Sequence, residues 1–157
     1  VNQRSQRGVT LLEMMIVTAL IAVVIGVTFP AINSGIDSLR LRAATDGIVS
    51  HLTAALNRTE RRQLAMEVGI FRQENLMRFI SADGSYRKQF DMPEGVTITG
   101  ILPEVPGLDP NAPRLFLLHP GGVIPRVVVE VTNRRGNKRL VSVDPITGTA
   151  QTQVVPR

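Results

Sequence analysis

Residues Val9 to Phe29, VTLLEMMIVTALIAVVIGVTF, form a run of 21 residues that holds a single charge, Glu13, and is closed by Pro30. As a helix the run would span roughly 31 Å at 1.5 Å per residue, the thickness of a bilayer core. It is longer than the apolar region of an ordinary secretory signal, and no small-x-small cleavage site ends it, which argues against removal as a signal peptide. Arg4 and Arg7 precede it. That basic flank predicts a cytoplasmic N-terminus, with the rest of the chain on the far side of the membrane.

Glu13 is the residue in this run that most needs a physical account. A carboxylate within a membrane helix costs several kcal/mol unless it is hydrated, neutralised or paired. Its place five residues after Gly8 allows it to snorkel to the interface. The sharper alternative is a cation at the same depth. Cutting the chain after Gly8 would create one, the α-amine of Val9, on the same chain or on a neighbour in an assembly.

Arg7-Gly8-Val9-Thr10-Leu11-Leu12-Glu13 resembles the prepilin peptidase recognition motif of type IV pilins and type II secretion pseudopilins. The resemblance implies a leader of residues 1–8, a transmembrane N-terminal helix over 9–30, and a periplasmic pilin-like domain over 31–157. It implies cleavage between Gly8 and Val9, N-methylation of Val9, an assembly and register role for Glu13, and a helix kink at Pro30. Val9 departs from the phenylalanine usual at that position. The partners implied are other pilin or pseudopilin subunits, the prepilin peptidase, inner-membrane lipid and the assembly platform.

After Pro30 the apolar pattern becomes periodic. Leu41, Ala44, Ile48, Leu52, Ala55 and Thr59 recur at spacings of three and four, one stripe of an amphipathic helix, while Arg40, Arg42, Asp46, Asn57 and Arg58 take other faces. The helix is therefore expected to run to about Leu64. Gly47 within it costs about 1 kcal/mol relative to alanine, which points to close packing or local flexibility. Beyond Ala65 the period shortens. Strands are expected over 68–72, 76–80, 96–102, 115–118, 127–132, 139–143 and 149–155, with turns at Asp83-Gly84 and Pro93-Glu94-Gly95 and a proline-rich loop over 103–113. The expected class is α+β: one long N-terminal helix, transmembrane then amphipathic, packed on an antiparallel sheet.

The distal motifs, Met92-Pro93-Glu94-Gly95-Val96, His119-Pro120-Gly121-Gly122 and Asp144-Pro145-Ile146-Thr147-Gly148, resemble the GspH/FimT family of minor pseudopilins and minor pilins. That resemblance implies a structural subunit of a type II secretion pseudopilus that drives protein export. The alternative is a FimT-like minor pilin of a type IV pilus that binds DNA for uptake. A third reading is an unrelated single-pass membrane protein.

Enzyme chemistry finds no footing. His51 and His119 are 68 positions apart with no metal-ligand spacing around them, and there is no cysteine. His51 is expected to be half-buried on the helix and His119 exposed in a turn. Asp109, Glu130 and Asp144 do not form a calcium loop, and no metal or cofactor is expected. Sixteen Lys and Arg against twelve Asp and Glu after Pro30 place the basic excess in the folded part. Its sharpest cluster is Arg134, Arg135, Lys138 and Arg139, expected on a hairpin. Such a cluster is either a solvated turn that discourages edge pairing or a contact surface for nucleic acid or another partner.

Overall fold

A computed structural model describes residues 9–155, and within its long helix the side chains at 27 and 29–34 are outside the description. Helix α1 runs over Leu11–Arg62 and passes Pro30 without a break in its assignment. Its start is set by Thr10, whose Oγ1 accepts the Glu13 amide at 3.2 Å and whose carbonyl accepts the Met14 amide. A threonine N-cap of this kind satisfies a donor the first turn would otherwise leave open. Thr18 and Thr28 donate their hydroxyls to the carbonyls of Met14 and Val24, which lets them sit in an apolar stretch without an unmet donor. Glu13 in the first turn and Arg61 and Arg62 in the last complement the helix dipole.

The chain divides into two compact units after Ile36. In the first, the large apolar side chains from Leu11 to Ile25 are all exposed, Leu11 by 79%. Apolar surface so continuous is stable only where lipid or other helices cover it. Among the described residues no helical stretch is long and apolar enough to cross a membrane. The span expected over Val9 to Phe29 includes positions 27 and 29, whose side chains are not described.

The second unit begins at Asp37 and holds the core. Leu41, Ala44, Ile48, Leu52, Ala55 and Thr59 are all buried, so the stripe at three and four residue spacings is the packed face. Eight strands follow: β1 (Met66–Phe71), β2 (Leu76–Ser81), β3 (Arg87–Asp91), β4 (Val96–Leu102), β5 (Arg114–Leu118), β6 (Val128–Asn133), β7 (Lys138–Val143) and β8 (Ala150–Val154). They form two four-stranded antiparallel sheets rather than one, in the orders β3-β2-β1-β5 and β4-β6-β7-β8. Alternation at period two sends Met66, Val68, Ile70, Met77 and Phe79 from the first sheet into the core, and Val129, Val131, Val141 and Val143 from the second. Ile98 and Ile101, three apart, are both buried because the β4–β6 register shifts between Ile98 and Gly100. The bulged residue restores the inward phase after a one-residue slip.

Two contacts tie this frame together. Asn75, in the β1–β2 turn at φ 56°, donates its side-chain amide to the Val96 carbonyl at 2.8 Å and accepts the Ile98 amide at 2.9 Å. One side chain thus bonds the first sheet's hairpin to the first strand of the second. Gly47 on α1 lies against the Phe90 ring, where an added Cβ would fall 2.8 Å from Cε2. Close packing, not flexibility, is therefore what the helical glycine provides. The helix stops at Arg62, two residues short of expectation, because Gln63 turns to φ 54° and donates its side-chain amide to the Glu60 carbonyl. β3, not anticipated, pairs with β2 through five residues of which four are exposed.

Candidate assembly site and basic hairpin

The N-terminal motif is described from Val9 onward; Gly8 lies outside the described residues. Val9 is exposed and immediately precedes the capping residue. Glu13 occupies the third helical position after Thr10, and Thr10-Leu11-Leu12-Glu13 has the Thr-x-x-Glu spacing of a capping box. The Thr-x-x-Glu spacing is the sequence signal that marks Thr10 as the cap. Its consequence is geometric. The cap starts the helix at Leu11, two residues after Val9, so any amine freed at Val9 would sit at the end of the axis that carries Glu13. Pro30 lies inside α1, with its side chain outside the described set.

The basic hairpin is resolved in full, and most of it is engaged within the chain. Arg134 Nη2 bonds Glu94 Oε1 at 2.6 Å, and Arg40 of α1 reaches the other oxygen of that carboxylate at 3.3 Å. Arg135 Nε bonds Asp37 Oδ2 at 3.3 Å, while the Asn133 side-chain amide donates to the Asp37 carbonyl. Lys138 Nζ meets Glu130 Oε1 at 2.9 Å, an oxygen that also accepts the Thr99 hydroxyl. Arg139 lies in β7 opposite Val131 and is half-buried, outside the ion pairs among the described residues.

The electrostatics agree with this geometry. The Arg134 hydrogen bond, with the nearby Arg40 charge, holds Glu94 below the usual carboxylate range. The Lys138 and Thr99 bonds do the same for Glu130. A cluster that reads as free charge in sequence is thus mainly a clasp joining the β6–β7 hairpin to the start of α1 in this unit and to the β3–β4 turn.

His51 is half-buried between Phe79 and Phe90, with ring centroids 5.7 and 4.8 Å away. Burial, then the Lys88 charge, pushes its pKa down. His119 is exposed. Among the described residues no cluster of His, Asp and Glu is placed to hold a metal ion.

A long helix that leads onto antiparallel sheets is a pilin-like fold. Residues 3–29 match the prokaryotic N-terminal methylation motif. More particularly, the fold is that of a minor pseudopilin: the chain superposes on EpsH from the type 2 secretion system of Vibrio cholerae with a TM-score of 0.56. Identity is 12%, and the match covers 73% of this chain and 97% of EpsH. No curated protein matches the chain in sequence.

Proposed function

We propose that the chain is a minor pseudopilin, a structural subunit that assembles through its N-terminal helix into a periplasmic pseudopilus of a type II secretion system. The observation that carries this reading is the join: a methylation-type motif over residues 3–29 feeds a helix whose later half is the spine of an EpsH-like domain. Cleavage after Gly8 would free the Val9 amine for methylation. The exposed apolar face from Leu11 to Ile25 would hold the subunit in the inner membrane, as residues 9–30, and then bundle with neighbouring helices in the filament. Glu13 would accept the Val9 amine of the adjacent subunit and so set axial register, because a buried unpaired charge is costly. Pro30 would bend the helix between the membrane part and the domain of residues 31–157.

The DNA-binding alternative rested on Arg134, Arg135, Lys138 and Arg139. Three of those four head groups are bonded to carboxylates of the same chain, which lowers the charge available to phosphate. The deciding experiment deletes the gene and compares exoprotein activity in the culture supernatant with activity retained in the periplasm. Retention, reversed by the wild-type copy, supports the secretion role. Unimpaired secretion would exclude it and return attention to a pilus.

A further inference from the structure

With three of the four hairpin cations paired, the basic excess of the domain concentrates elsewhere. Arg58, Arg61 and Arg62 close α1, and none of them makes an ion pair among the described residues. Arg58 lies over the Tyr86 ring, 4.4 Å from its centroid, and Arg87 and Lys88 follow at once on β3, both exposed. Beneath the arginines is a cleft of about 370 Å³ lined by Arg58, Arg62, Leu64, Met66 and Asp83. Beside it Ala54, Asn57, Arg58 and Arg61 form a second shallow groove along the helix. The dipole of the helix end accounts for only about half a unit of negative charge, less than the three guanidiniums supply.

We propose that this cleft is a docking site for an acidic segment of a partner protein, in which Arg58, Arg61 and Arg62 take carboxylates while the half-buried Leu64 takes an apolar stem. Three observations select this chemistry. The only tyrosine ring is already covered by Arg58, so no flat aromatic surface is offered to stacked bases. Asp83 stands in the cleft as a fixed negative charge, its Oδ1 held by Ser81 Oγ, Ser85 Oγ and the Ser85 amide. A fixed anion there opposes the continuous charge of a nucleic-acid backbone, whereas separate carboxylates can be placed around it. The site also lies roughly 36 Å along the helix from Asp37, far from the end at which the chain enters this unit, so anionic lipid headgroups are poor candidates. Arginine suits the role because its planar fork binds carboxylates in bidentate fashion.

The test uses the full chain in non-ionic detergent, a fluorescently labelled poly-glutamate peptide, a duplex DNA oligonucleotide and vesicles of anionic lipid. Fluorescence anisotropy should detect salt-sensitive binding of the peptide, weakened at least about tenfold by R61E/R62E and largely kept by R61K/R62K. Since the sequence has no cysteine, Asn57→Cys carrying an environment-sensitive dye reports occupancy of the groove with all three arginines in place, should the charge reversal disturb the fold. Absence of peptide binding at low salt, binding indifferent to R61E/R62E, or tighter binding of DNA or vesicles than of peptide would each overturn the proposal.

Discussion

Gly47→Ala tests the packing of the domain most directly, because two effects of known sign oppose one another there. Alanine in a helix interior gains about 1 kcal/mol over glycine. At this position, however, the new Cβ would lie 2.8 Å from Phe90 Cε2 and 3.1 Å from Cε1. Phe90 Cζ would be closer still, and ordinary carbon contacts are about 3.5–4.0 Å, so the ring must retreat by more than about 1 Å. Phe90 sits on an edge strand and is half-buried, so it can move, but moving it disturbs its contact with His51 at 4.8 Å. Overpacking of this kind costs about 1–3 kcal/mol, and a lost aromatic contact about 0.5–1.5 kcal/mol. The expected net effect is a loss of about 1–2 kcal/mol. In a Phe90→Ala background the obstruction is gone, and the same substitution should stabilise by up to about 1 kcal/mol. Urea denaturation of the unit from Asp37 onward, in a double-mutant cycle, reads both values. Equal stabilisation by Gly47→Ala in the two backgrounds would refute the packing argument.

Other expectations follow from single contacts. Glu13→Ala should leave membrane insertion and leader cleavage intact while reducing recovery of the subunit in sheared filament fractions; full recovery would remove the register argument. Asn75→Ala deletes two hydrogen bonds and places alanine at positive φ, so it should destabilise by about 2–3 kcal/mol in chemical denaturation. Asp83, held at about 2 against an ordinary 3.8 by hydrogen bonds from Ser81 and then Ser85, has a depressed folded-state pKa. Its stabilising effect is present above the unfolded value and is lost as pH falls through the folded one, so Asp83→Asn should flatten the stability profile between about pH 4 and pH 2. Thr10→Ala removes the N-cap and should fray the first turn of α1 at a cost of about 1 kcal/mol, read by amide exchange at Glu13 and Met14.

The polarity pattern of the chain was enough to specify most of its local structure. Continuous apolarity over Val9 to Phe29, periodic apolarity from Leu41 to Thr59 and alternation in the valine-rich strands each follow from side-chain direction in helix or strand, which neighbours far along the chain do not alter. The methylation-type motif over residues 3–29 was legible for the same reason, since its residues are contiguous. β3 was not legible: Arg87, Lys88, Gln89 and Asp91 carry little strand signal, and they pair because β2 already presents an edge. The division into two sheets was equally hidden, because strand order depends on which hairpins share a core.

Tertiary structure alone decided the electrostatics. Arg134 and Arg135 are adjacent to one another in sequence but bond to Glu94 and Asp37, 40 and 98 positions away. Arg58, Arg61 and Arg62 look no more basic on paper than that hairpin, yet no carboxylate of the described chain pairs with them. Composition sets how many charges a chain has; the fold determines which remain available to a partner, because ion pairing depends on distances of a few ångströms that only packing can set.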